Sequence, residues 1–390
     1  MTWMHTLRML FVREWRIYRQ HPLFLSIMLI APLACAIYFT TLMHDGLPTD
    51  LPVGLVDEDD SQVSRTFSRT LSSLQSVELT CRFPSFSAAR QAVQRGKIYG
   101  FYYIPRDFTD NALASRQPRL SFYTNETFFV PSALIMKDMK QASELANIVM
   151  MRTSLRSKGM SESNIMPAIQ PIAIDTHPLN NPHINYAVFL CNIFVPGVII
   201  LLTMVCAVYT IGMEWKRGMQ RRIYRLCNYS TVRFLTGKLS LQMLCFTLAF
   251  ILIDFYFYSV LGFPCHCGIP SMMMLGWLTV AASQAFAVFA FGLTGGHMRL
   301  AMSICALIGV FSFSMSGLTF PVSAMDHPLR CLSWAILLRH YYVLYANLAL
   351  NGYSWTYAWQ HASALFAFML LPLSVWQRYR VAFLRGRYKE

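Results

Sequence analysis

Apolar positions in this chain gather into long uncharged runs separated by short polar stretches, and that pattern predicts membrane helices first. A run of about 20 apolar residues crosses the hydrocarbon layer of a bilayer as a helix. Six windows qualify: roughly 23–43, 184–213, 239–262 (interrupted only by Asp254), 269–296, 300–320 and 358–376. The stretch ahead of the first is rich in Arg and aromatics and has no small-residue cleavage site, so the window reads as a retained helix. Within residues 1–19, Leu7, Leu10, Phe11 and Tyr18 fall near one helical face and Arg8, Arg16 and Arg19 largely on another. That is the pattern of an amphipathic helix lying on the inner leaflet.

The period changes between the first two windows. "LPVGLVDEDDS" is an apolar run ending in acids, as a buried strand entering a turn reads. A helical pattern follows at 61–74, then the strand-like "SVELTCRF", the helical "SFSAARQAVQRG", the strand "IYGFYYIP", a short helix near 106–115 and the strand "RLSFYTNE". A longer helix over 131–157 and the Pro/Asn-rich "HPLNNPHIN" lead back to the membrane. Strands alternating with helices predict an α/β domain over residues 44–183. Residues 321–357 pose a different problem, because "LSWAILLRHYYVLYANLAL" is nearly long enough to cross yet carries Arg339 and His340 in its middle. A segment that enters the membrane and returns satisfies both facts, provided protein or a water-filled cavity covers it.

Composition agrees: 55% of the 390 residues are hydrophobic and 13% charged, which excludes an ordinary soluble globule. The net charge of +14 invites a nucleic-acid reading, but its distribution opposes one. Residues 44–183 hold 14 basic and 14 acidic side chains. The excess lies before the first span, in 214–238 with seven basic residues, at Arg299, and after the last span. Positive loops stay on the cytoplasmic side, which predicts both termini and the 214–238 loop inside and residues 44–183 outside. Basic juxtamembrane loops also contact anionic lipid heads.

Catalytic chemistry is hard to find. The closest approach to a phosphate-binding loop, "VRFLTGKL", has Val232 in place of the first Gly and Leu239 in place of Ser/Thr. Neither HExxH nor GxSxG occurs, so no catalytic residue and no directly bound cofactor is expected. Five of the ten cysteines (35, 191, 206, 245 and 305) fall within windows as packing residues. Cys265 and Cys267 flank His266, ligands too close in sequence to build a tetrahedral metal site alone, although a disulfide on that side is open to them. Asp254 is the single acid within a window, as a substrate or proton site or as a carboxylate hydrated or paired with Arg330 or Arg339. Aromatics around Asp254 and around Arg339, His340 and Tyr341 fit an interfacial belt or an exit path for an apolar or amphipathic substrate.

Three stretches carry a family resemblance. "PVGLVDEDDSQVSRTF" (52–67) is similar to a strand with V-D-x-D-x-S followed by a helix, and "GKIYGFYYIPRDFTDNAL" (96–113) to a G-x-x-x-G-x-x-x-I-P-x-x-F pattern. "FPVSAMDHPLRCLSWAILLRHYYVLYANLALNG" (320–352) looks like a P-x-x-x-M-P stretch leading into a pre-final helix. Together they resemble the permease subunit of type-2 ABC exporters, the ABC-2 family, in the subgroup with a large extracytoplasmic domain between the first two helices. In that family the loop between the second and third helices is a coupling helix that docks on a separate ATPase. Here Glu214, Gly218, Gly237 and Lys238 keep its E-x-x-x-G … G-K pattern, with Lys216, Arg217, Arg221, Arg222 and Arg225 between. Met219 replaces the usual Thr, Leu226-Cys227 the usual Thr-Pro, and "MDHP" spaces Met and Pro apart.

The expectation is an α-helical polytopic membrane protein with six transmembrane helices, a re-entrant segment and an inserted extracytoplasmic α/β domain. Its parts are a cytosolic amphipathic connecting helix (1–21), the first helix (22–43), the outer domain (44–183), helices two to six (184–377) with coupling loop 214–238 and re-entrant segment 321–357, and a basic cytosolic tail (378–390). The resemblance implies an inner-membrane exporter that works with an ABC ATPase, which holds the ATP and Mg, and with a second permease chain, identical or paralogous. Periplasmic adaptor and outer-membrane channel partners are compatible with it. The competing readings are a proton-driven secondary transporter, which would need Asp254, and a non-transporting sensor whose outer domain binds a ligand.

Overall fold

The computed structural model describes residues 3–74, 76–113, 116, 119–170, 177–182 and 185–385. The chain divides into two compact units, Asp45–Pro178 and the remainder formed by Met1–His44 with Leu179–Glu390.

In the larger unit, five helices among the described residues are long and apolar enough to cross a membrane: Pro22–Leu42, Tyr186–Lys216, Thr231–Val260, Ile269–Leu293 and Met298–Met315. The second and fourth bury most of their surface and form the centre. The first and fifth leave apolar faces open, with Ile30, Ile37 and Leu42 on one and Leu307, Val310 and Phe311 on the other. Pro32 lacks an N–H for the helix ladder, and the turn just before it, Ser26–Ile30, widens to π geometry.

Two boundaries differ from expectation. The third span begins at Thr231, eight residues before its apolar window, so Gly237 and Lys238 lie inside a helix and not in a loop. The sixth window is not one spanning helix: Pro372 interrupts it, giving Trp359–Leu370, a 3₁₀ turn at Leu371–Val375 and a helix at Trp376–Arg385. That last helix takes in most of the segment expected as a basic tail, of which 386–390 lie outside the described residues. Between the fifth and sixth stretches, His327–Ser333 and Leu337–Tyr345 are short helices, and the second buries Leu338, His340, Tyr341 and Leu344 among the spans.

The connecting helix, Trp3–Gln20, packs through Thr6, Leu10, Glu14 and Tyr18. Leu7 and Phe11 are only half-buried, so the packing face is rotated from the one the apolar residues suggested. All ten cysteines are free thiols, with the sulfurs of Cys265 and Cys267 3.9 Å apart, so no disulfide forms in that loop.

The inserted unit is an α/β fold around a four-stranded sheet of β1 (Leu51–Asp57), β2 (Val77–Arg82), β3 (Gly100–Ile104) and β4 (Ser121–Thr124). The order is β2-β1-β3-β4, parallel around β1 and antiparallel between β3 and β4. Both faces of the central strands are covered, which is why β1 and β3 read as continuous apolar runs. Leu51, Val53, Leu55, Tyr102 and Ile104 meet Ile135 and Met139 of the long helix Phe129–Ser157 on one face. Val56 and Phe101 meet Ala89 and Ala92 of the helix Phe86–Gln94 on the other. A further helix, Glu162–Ile169, occupies a stretch not read as helical, and the return segment "HPLNNPHIN" lies partly outside the described residues, at 183 and 184.

Candidate functional site

The second span ends on a glycine stop. Gly218 adopts φ +67°, its N–H bonds the carbonyl of Trp215 at 3.0 Å, and the N–H of Met219 bonds that of Glu214 at 3.0 Å. This is a Schellman closure, which favours Gly because a side chain is strained at positive φ. The chain turns directly into a short helix, Gln220–Leu226, which buries Gln220, Ile223 and Tyr224 and exposes Arg221, Arg222, Arg225 and Leu226. Ser230 then caps the third span.

Aromatic rings hold this short helix from beneath. Phe383 of the C-terminal helix stacks on Tyr224 with centroids 4.4 Å apart, and also meets Phe234 at 4.6 Å and Trp215 at 4.8 Å. The hydroxyl of Tyr379 donates to the carbonyl of Val288 at 2.7 Å, which fixes the same C-terminal helix to the fourth span. One aromatic cluster therefore joins the second, third and fourth spans, the short helix and the chain's last helix.

A buried ionic quartet holds it from the side. Lys238 Nζ stands 2.5 Å from Glu214 Oε1 and 2.8 Å from each carboxylate oxygen of Glu14. Arg13 donates to both oxygens of Glu214 at 2.9 and 3.0 Å and to Glu14 at 2.8 Å. Glu14 is fully buried and Glu214 and Lys238 nearly so, and each ion removed from water costs several kcal/mol unless paired. Two cations against two carboxylates, each in contact with both partners of opposite sign, make the group neutral. Burial lowers the affinity of Arg13 for its proton, but bonds from Glu214 and Glu14 outweigh this and hold its pKa above the ordinary value. Gly237 makes the approach possible, because a Cβ there would collide with Leu10 Cδ1.

The residues expected to couple to an ATPase therefore separate into two groups. Lys216, Arg217, Arg221, Arg222 and Arg225 are exposed, whereas Glu214, Gly237 and Lys238 are interior and join helices to one another. Arg13, Glu14 and Phe383 belong to the same assembly and were not singled out from sequence. The available signals were an acid in an otherwise basic stretch, in the i, i+4 series Thr6-Leu10-Glu14-Tyr18, and the i, i+4 pair Tyr379 and Phe383.

The four candidate pathway residues also divide. Asp254 is 3% exposed, its carboxylate meets neither Arg330 nor Arg339, so the pairing alternative does not form, and Oδ2 has no hydrogen-bond partner among the described residues. Arg330 bonds instead to the carbonyls of Ser323 and Met325, and Arg339 to the hydroxyl of Ser333, with its guanidinium over the Trp334 ring. Tyr341 packs on Phe250 of the third span with centroids 5.9 Å apart. His340 Nε2–H donates to the carbonyl of Trp334 at 2.9 Å, which makes its Nδ1 the acceptor for Nδ1–H of His361, also at 2.9 Å. Two histidines are thus assigned opposite tautomers by a single carbonyl.

Five long apolar helices among the described residues, with a short basic helix between the second and third, define a polytopic membrane protein. Residues 22–376 match the family described as ABC-2 family transporter protein, and the chain belongs to that family. It is the permease component of an ABC transporter, a multi-pass membrane protein whose ATPase is a separate subunit. No curated relative matches the sequence.

Proposed function

We propose that this permease exports an amphipathic or apolar substrate outward across the inner membrane, with both termini in the cytoplasm and residues 44–183 outside. Its short helix Gln220–Leu226 docks on the ATPase. The observation that carries this reading is the mount: a basic face of Arg221, Arg222 and Arg225 on a helix fixed from beneath by Phe383 and from the side by the quartet. A displacement of that helix reaches the second span through Gly218, the third through Lys238, and the connecting helix through Glu14. Transmission into several helices at once is what switching between two packed states of a bundle requires. The open apolar faces of the first and fifth spans suit lipid and a second permease chain. Asp254 and Tyr341 are the pathway residues this reading retains, because a carboxylate buried within a span, with Oδ2 unbonded among the described residues, is costly unless it serves a function.

The test is the double charge reversal Arg221→Glu/Arg222→Glu. Both side chains are exposed, so the permease should reach the membrane in normal amount while ATPase co-purification and transport fall together. Retention of both would remove the docking assignment.

A further inference from the structure

Beside the packed face of the connecting helix lies a groove of about 630 Å³ that neither the aromatic cluster nor the quartet fills. Positions 5, 8, 9, 12, 13, 16 and 17 form one i, i+3/i+4 stripe along it, and Arg217 and Met219 close the opposite wall. Arg8, Arg13, Arg16 and Arg217 all line it, and among the described residues no carboxylate does. Arg13 is engaged by Glu214 and Glu14, whereas Arg8, Arg16 and Arg217 make no hydrogen bond or ion pair to any described residue. Guanidiniums that line one groove without a carboxylate among the described residues repel one another, and a bound anion would relieve that repulsion.

The rest of the lining identifies which anion. Met9, Val12, Ile17 and Met219 give the groove an apolar surface between its cations, which inorganic phosphate or a bare carboxylate would leave uncovered. Its position also matters. The connecting helix enters the first span at Pro22, five residues after Ile17, and Arg217 directly follows the last residue of the second span. One end of the groove is therefore at the membrane surface, where headgroups and the first methylenes of acyl chains lie. Guanidinium forks match phosphate oxygens in pairs.

We infer that this groove binds the phosphodiester headgroup of an anionic membrane lipid. A lipid seated there bridges the connecting helix to Arg217 at the end of the second span, two elements that the quartet also joins. It shares Arg13 with the quartet, so its occupancy stiffens the same mount. The inference stands apart from the docking of the ATPase proposed above, which uses Arg221, Arg222 and Arg225, none of which lines the groove.

The experiment titrates the purified full-length permease with short-chain phosphatidylglycerol, short-chain phosphatidylcholine and inorganic phosphate, reading the thermal midpoint and, by native mass spectrometry, the lipid retained. Phosphatidylglycerol should raise the midpoint and remain bound, and the other two at equal concentration should not. Arg8→Gln/Arg16→Gln should weaken phosphatidylglycerol binding about tenfold or more, through loss of charge-assisted contacts, with the lipid-free midpoint unchanged. Arg8→Lys/Arg16→Lys, which keeps the charge but not the fork, should fall between the two and guards against misfolding of the first variant. Equal protection by phosphatidylcholine, or by inorganic phosphate, would overturn the lipid assignment, as would wild-type binding in both variants. Wild-type lipid binding combined with lost ATPase co-purification in Arg8→Gln/Arg16→Gln would give the groove to an acidic segment of the partner protein.

Discussion

Two polar networks in this protein use similar pieces in opposite surroundings. In the inserted unit, the Asp57 carboxylate at the end of β1 accepts the backbone N–H groups of Asp59 and Asp60 at 3.2 and 3.0 Å and the Ser64 hydroxyl at 2.8 Å. Ser61 and Ser64 cap the following helix reciprocally, and Thr109 donates its hydroxyl to Asp59 at 2.6 Å. Water reaches much of this network. In the membrane unit, Glu14, Glu214 and Lys238 sit where water does not. A half-exposed contact that is lost is replaced by solvent, at a net cost of about 1 kcal/mol, whereas a buried ion without its partner keeps its full desolvation cost. The first network therefore shapes a turn by many small terms, and the second acts as a unit.

The sharpest way to break that contrast is to remove one charge from the quartet. Glu214→Gln leaves Arg13 and Lys238 sharing Glu14, and should cost about 3–5 kcal/mol, seen as a lower thermal midpoint and less folded permease in the membrane. Lys238→Met should cost a similar amount, since it leaves two carboxylates facing Arg13. The double variant retains the neutral pair of Arg13 and Glu14, so its cost should fall well short of the sum. Additive costs in that cycle would show that the four groups do not act as a unit.

Such a unit is invisible along the chain. The spans are legible because a bilayer imposes a length and a composition on each, and the inserted α/β unit is legible because buried parallel strands must be apolar throughout. Glu14 and Lys238 are 224 residues apart, and no local period relates them. The charge of Lys238 also hid the start of the third span: a hydropathy window rejects the residue, although a buried partner is what lets it stay inside the helix. The C-terminal helix was masked in the same way, its arginines reading as a tail while Tyr379 and Phe383 pack inward. Asp254 shows the converse, since the cations that could have neutralised it turn to Ser323, Met325 and Ser333.

A smaller effect is expected where the quartet depends on shape. Gly237→Ala places a methyl group against Leu10, and overpacking of this kind costs about 1–3 kcal/mol. The cost should be partly recovered by Leu10→Ala in the same chain, which vacates the contested space. Hydrogen exchange over residues 6–18 in the full-length permease reads the result: Gly237→Ala should speed exchange there, and the second substitution should slow it again. Faster exchange confined to the third span would show that the connecting helix does not rely on that close approach.

The smallest effect belongs to the solvated network, and its pH dependence has a definite sign. Burial would raise the pKa of Asp59, but hydrogen bonds from Ser61, from the hydroxyl and N–H of Thr109 and from the N–H of Phe108 outweigh it and hold the carboxyl below its ordinary value. A carboxyl with a lower pKa folded than unfolded binds fewer protons in the folded state. Its contribution is complete above the ordinary aspartate pKa of about 4 and is lost as pH falls through the folded value. Thr109→Val removes the hydroxyl donor and should cost about 1 kcal/mol at neutral pH, measured by hydrogen exchange over residues 51–72 of the intact protein. That difference between variant and wild type should shrink once the pH drops below about 4, because the anion Thr109 serves is then disappearing. A penalty that stays constant into the acid range would mean that Thr109 holds this turn through Ser61, 2.6 Å from its hydroxyl, and not through the charge on Asp59.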